Sequence, residues 1–230
     1  KPNQYEVTMT IDRKAELATV SETSRASFVE THNAREQALR LSREIVRNSA
    51  NSIRATHRAE YEQAHELLQA VSDLKSELDE LLADHPRVYY AGFVEDAVKE
   101  YAEASATLSF AEGRPLAGPE ELGIGAAPYM NAMAEAAGEM RRFILDALRR
   151  DDVSRCEELL GVMDDIYSHL VSMDFPDAVT RGLRRSTDMA RGVLERTRGD
   201  LTVAIRQRRL EGKLAELQKS LGESSGTPTA

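Results

Sequence analysis

The sequence has no tryptophan, a single cysteine, and no glycine before Gly92. Each shortage removes a class of fold or chemistry. A lone Cys156 excludes an intrachain disulfide framework and a cysteine-rich zinc site, so a reducing compartment, the cytoplasm, is the expected setting. Pro2 is followed by no proline until Pro86, so the first third of the chain runs without either common helix breaker. Aromatics make up 5% and charged residues 30%, a balance that suits long solvated helices better than a β-sandwich. There is no apolar run of transmembrane length and no signal-peptide pattern after Lys1, so no membrane partner is expected. A Gly-rich phosphate loop, a G-x-S-x-G elbow, a Cys–His pair with a local signature and a repeat of fixed period are all missing.

What is present is charge in blocks. The formal net charge of −9 argues mildly against a nucleic-acid binder, yet residues 35–58 carry six Arg against two Glu, and residues 181–213 carry ten Arg or Lys against four acids. Residues 59–103 carry twelve acids against three bases. Such segregation builds one basic and one acidic face, a layout that suits a polyanion and a metal ion, and it equally describes ordinary solvated helix faces.

Apolar spacing gives an all-α fold, an antiparallel bundle of six to seven helices. Ala34, Ala38, Leu41, Ile45 and Ile53 mark a first helix from about Ser24 to His57. Ala64, Leu68, Val71, Leu74, Leu78 and Leu81 form a near-heptad stripe on a second, which Pro86 ends. A third, about Val88 to Phe110, buries Tyr90, Val94, Ala97, Tyr101 and Leu108. Residues 111–126 are a loop with a short turn at Pro119–Leu122. Pro128 suits the first turn of a fourth helix reaching about Arg149, made thin by Ala132, Ala136, Ala137 and Gly138. A fifth follows Asp151–Asp152, and a sixth runs from about Pro176 to Lys213 or beyond, with Val179, Leu183, Leu194, Leu201 and Leu210 as apolar positions. In domain terms, 1–20 is an arm, 21–215 a single helical domain and 216–230 a disordered tail.

Glu100 and Glu103 are three apart, and Glu135 and Glu139 four apart, so each pair projects from one side of its helix. Facing helices would bring four like charges together, an arrangement that needs a cation or protons to neutralise it. Hard oxygen ligands select Mg²⁺ or Mn²⁺ over zinc. Spacing alone does not separate this from a surface cluster. Of the five histidines none has metal-ligand spacing, and Cys156 falls on an apolar stripe.

Taken in order, several segments resemble the translin superfamily, the Trax branch more than translin, over residues 35–212. They are LSREIVRNSANSIRATHR (Leu41 to Arg58), EYAEASATLSF (Glu100 to Phe110), YMNAMAEAAGEMRR (Tyr129 to Arg142) and FPDAVTRGLRRSTDMARGVLERTRGDL, with Tyr167 before it. The resemblance implies a translin-like fold and a magnesium-dependent endoribonuclease whose catalytic and metal-holding residues are Glu100, Glu103, Glu135 and Glu139. It implies a closed octameric barrel with single-stranded RNA inside, self-assembled as in archaeal relatives or completed by a translin-like second subunit. The basic residues facing RNA would be Arg54, His57 and Arg58. Three departures stand out: Trax has Asp at the position of Glu135, the family usually has an acid at that of Ser168, and the connection between the third and fourth helices is shorter than in animal Trax. The alternative is a translin-like nucleic-acid binder without catalysis.

Overall fold

The computed structural model describes residues 12–224. Among them are nine helices and no strand: α1 (Arg13–His57), α2 (Tyr61–Leu82), α3 (Pro86–Tyr89), α4 (Gly92–Glu112), α5 (Pro119–Leu122), α6 (Ala126–Leu148), α7 (Cys156–Val171), α8 (Asp177–Thr180) and α9 (Leu183–Ser224). Three of these, α3, α5 and α8, have four residues each, leaving six long helices as the bundle.

The two ends of the chain depart from expectation. α1 begins at Arg13, not about Ser24, because the Asp12 carboxylate accepts from the Lys14 and Ala15 amides at 3.1 and 3.2 Å and so caps the first turn. The arm expected over 1–20 therefore contributes turns of α1 from Arg13 on, and its earlier part lies outside the described residues. The tail expected from 216 is helical up to Ser224, with the rest again outside the described residues. Leu210, Leu214, Leu217 and Leu221 explain this correction: they continue a four-three-four repeat on α9, although all four are exposed.

Other boundaries shift by local chemistry. The third helix splits at Tyr90–Ala91, and Tyr90 is exposed, with its ring edge on Tyr89 at 5.1 Å. The sixth splits because Arg181 and Gly182 take left-handed backbone angles (φ 52° and 86°), which ends α8 and starts α9 afresh. Val179 and Leu210 are consequently exposed, whereas Leu183, Leu194 and Leu201 are buried.

Two layers share α4. One apolar face of α4 (Val94, Ala97, Tyr101) packs with Ala38, Leu41 and Ile45 of α1 and Val71 and Leu78 of α2. Another face (Val98, Ala102, Ala106) packs with Ala132 and Ala136 of α6, whose far side meets α7 and α9. Helix pairs α1–α2, α6–α7 and α7–α9 are antiparallel. α4 and α6 run parallel: Glu95 and Asp96 share a cavity with Pro128 and Asn131, and one turn further on Lys99 pairs with Glu135. α1 follows the same direction, since Arg35 lies over the Phe93 ring (5.7 Å) while His57 reaches Glu139.

Parallel neighbours need a return connection, and residues 113–125 supply it as a strap along the bundle. Gly113 ends α4 at φ 69° and Gly123 ends α5 at φ 64°, both left-handed caps that favour glycine. The strap is fastened by the buried Lys75 ammonium, which donates to the Gly123 carbonyl at 2.7 Å, and by the Tyr129 hydroxyl, which donates to the Ala117 carbonyl at 2.9 Å. Outside the body, residues 12–33 of α1 and 206–221 of α9 are exposed throughout and project from opposite ends.

Candidate functional site

Parallel packing of α4 on α6 decides which acids meet. The small buried side chains Ala132, Ala136 and Ala137 let the helices approach, whereas an added Cβ at Gly138 would meet nothing within 4 Å. Gly138 thus leaves open space beside Glu135 and Glu139 instead of serving close packing.

One carboxylate oxygen from each of Glu100, Glu103 and Glu135 falls within 4.8 Å of the others. Glu103 is 8% exposed. Burial first, and then Glu100, Glu135 and Glu139, push its carboxyl up to about 8, with Lys99 opposing. Burial also pushes the Glu100 carboxyl up, Lys99 opposing it and Glu135 and Asp96 adding to it. A cluster that holds a proton on glutamate near neutrality is short of positive charge, and hard carboxylate oxygens at this separation suit a divalent cation.

Glu139, the fourth expected acid, lies one turn along α6 and is engaged separately. His57 Nε2 contacts its Oε2, and Arg142 stands 3.9 Å from the same oxygen. The His57 hydrogen bond holds the Glu139 carboxyl below its usual range, burial opposing. The His57 side chain is 4% exposed, its ring is stacked on Phe143 at 4.1 Å, and its Nδ1 has no hydrogen-bond partner among the described residues. Of the three residues expected to face RNA, then, His57 turns inward onto an acid. Arg54 and Arg58 remain exposed at the end of α1, Arg54 donating to Asn51 at 2.7 Å and Arg58 paired with Glu60 at 2.6 Å.

Lys99 was not singled out in the sequence, where it is one base in an acidic stretch. Its Nζ donates to Glu135 Oε1 at 2.7 Å. Burial lowers the Lys99 ammonium, but the bond to Glu135 and the nearby acids outweigh it, and the net displacement is upward. The signal was available: Lys99 stands four residues before Glu103, on the same side of α4. Phe143, four residues after Glu139, could have been found in the same way.

No protein-family model matches the chain. The uncharacterized protein MJ0175 of Methanocaldococcus jannaschii is 30% identical over 193 residues, covering 83% of this chain and 85% of the relative. Among solved structures, AfC3PO in complex with duplex RNA superposes with a TM-score of 0.76 at 32% identity, over 81% of this chain and 97% of that one. A second structure, a crystal structure of AfC3PO, matches equally (TM-score 0.76, 32% identity). Apo-NeC3PO shares the fold, with a TM-score of 0.71 at 17% identity, over 85% of this chain and 98% of that one. The all-helical architecture and this likeness along most of both chains agree with the motif order read from Leu41 onward, and the chain belongs to the translin/Trax superfamily, that of the C3PO proteins.

Proposed function

We propose that this chain is a Trax-like subunit of a magnesium-dependent endoribonuclease, cutting single-stranded or short RNA inside a closed homo-oligomer, an octamer. The observation that carries the reading is the meeting of Glu100, Glu103 and Glu135 within 4.8 Å on two helices held side by side. The similarity to AfC3PO, which has been solved with duplex RNA, supports RNA as the ligand class.

Glu100, Glu103 and Glu135 would hold a divalent ion, Mg²⁺ or Mn²⁺, which would polarise a phosphodiester and lower the pKa of a water so that it could act as the nucleophile. The chain's own residues do the rest. Glu139, kept ionised by its bond to His57, would take the proton of the attacking water, and His57, stacked on Phe143, would hold that carboxylate's direction. Lys99 presents an ammonium beside Glu135 where a phosphate carries charge.

The second reading, a translin-like binder without catalysis, has its own support: Lys99 pairs with Glu135, and His57 contacts Glu139, without any ion. A magnesium titration on a labelled single-stranded RNA separates the two. Cleavage that requires Mg²⁺, stops with EDTA and is abolished in Glu135→Gln and Glu139→Gln while RNA stays bound supports the enzyme. Tight binding of intact RNA at every Mg²⁺ concentration supports the binder.

A further inference from the structure

Beside the carboxylates lies a cavity of about 270 Å³ that shares Glu135 and Lys99 with the catalytic reading and adds Arg181 and Arg185, which that reading does not use. It falls just below the roughly 300–1,000 Å³ of pockets that hold drug-sized molecules, a size for a phosphate with its sugar. Its lining mixes three acids, Glu95 and Asp96 of α4 and Glu135 of α6, with three bases, Lys99 of α4, Arg181 at the end of α8 and Arg185 at the start of α9. Glu95 is paired with Arg181 at 2.9 Å and Glu135 with Lys99 at 2.7 Å. Arg185 has no ion pair within 4 Å among the described residues, and its guanidinium is exposed on the cavity.

The corner that carries the arginines is built in place. Arg181 and Gly182 adopt left-handed angles, which turn the chain from α8 into α9 over the cavity. Asn131, 6% exposed, bolts that corner to α6: its Nδ2 donates to the Thr180 carbonyl at 2.9 Å, and its Oδ1 accepts from the Ser186 hydroxyl at 2.7 Å. Asn131 stands one helical turn before Glu135, so the guanidinium groups and the carboxylate share one rigid mount. Arginine forks match phosphate oxygens, and the acids beside them repel a phosphate seated anywhere else in the cavity.

We infer that this cavity is a phosphate subsite, holding on Arg185 and Arg181 the backbone phosphate of the RNA nucleotide adjacent to the linkage at Glu100, Glu103 and Glu135. The inference rests on the ribonuclease reading for what lies next door, but its test does not need cleavage. Binding of a fluorescent single-stranded oligoribonucleotide to the full chain is measured in EDTA across a salt series. Arg185→Ala should weaken binding about tenfold and reduce the slope of log affinity on log salt by about one. Arg184→Ala, the neighbouring arginine beside Asp174, should change neither. An unchanged affinity and slope for Arg185→Ala overturns the subsite, as does an equal loss in Arg184→Ala, which would show diffuse attraction to this face. A single methylphosphonate walked along the RNA supplies the register: at one linkage its effect and that of Arg185→Ala should fail to add, and additivity at every linkage overturns the assignment. If no RNA is cut at any Mg²⁺ concentration while Arg185→Ala still binds it poorly, the nuclease reading falls and the subsite stands; cleavage that needs Mg²⁺ with unchanged binding by Arg185→Ala sinks the subsite alone.

Discussion

Lys75 and Gly123 are joined at 2.7 Å by the ammonium of one and the carbonyl of the other, which ties α2 to the strap between α4 and α6. Lys75 also contacts Asp79, whose Oδ1 has no hydrogen-bond partner among the described residues. Lys75→Met keeps most of the apolar stem and removes the ammonium, leaving a carbonyl and a carboxylate underserved. The expected loss is about 1–3 kcal/mol, the lower half of the range applying because Asp79 is partly exposed. Urea denaturation measures it, and a variant as stable as the parent would show that the strap is held by other contacts.

Glu103 makes stability depend on pH in an unusual direction. Its carboxyl titrates near 8 in the folded chain against an ordinary 4.5, so between those values the folded state holds a proton that the unfolded state has lost. In EDTA, stability should therefore fall as pH rises from about 5 to about 8, by up to about 1.4 kcal/mol per unit from this group. Glu103→Gln should flatten the curve, and Mg²⁺ should flatten it for the native residue. Thermal melts of both proteins at several pH values decide the matter; identical slopes would remove Glu103 as the cause.

His57 is read here as a positioning residue that acts through Glu139. His57→Ala frees the Glu139 carboxylate and the face of Phe143, with an expected loss of about 10–100-fold in activity or metal affinity. His57→Gln, which retains a donor, should recover part of it and should shift the pH profile less than the alanine variant. Equal loss in both would point to packing against Phe143 instead.

Gly138 gives a probe of where the strand runs. An added Cβ meets nothing within 4 Å, and a glycine inside a helix costs about 0.5–1 kcal/mol relative to alanine, so Gly138→Ala should stabilise the chain by that amount. If RNA passes over this stretch of α6, the same variant should raise KM while melting higher. A rise in stability with unchanged KM would place the strand elsewhere.

Much of the fold was legible because apolar spacing is a local signal. Ala34, Ala38, Leu41 and Ile45 are buried as their period requires, and so are Cys156, Met163, Ile166 and Leu170. Pro119–Leu122 and the first turn at Pro128 also appear where breaker residues put them. The parallel course of α4 and α6 was not legible, since nothing in either helix encodes the direction of its neighbour; that choice lies in the strap and in Lys75. For the site, three of the four acids gather, while Glu139 is engaged by His57 instead. Spacing could not give the inward turn of His57, which depends on Phe143 eighty-six positions away in the chain.

Glu100 and Glu103 sit in the middle of α4, and Glu135 and Glu139 in the middle of α6, where amide and carbonyl groups are consumed by the ladder of their own helix. The main chain has no oxygen left to offer. A magnesium ion bound there would ask for about six oxygen ligands, and those beyond the carboxylates would come from solvent or from the incoming strand, not from the main chain. Replacing a glutamate would then hand a coordination position to water, with no backbone oxygen to take its place.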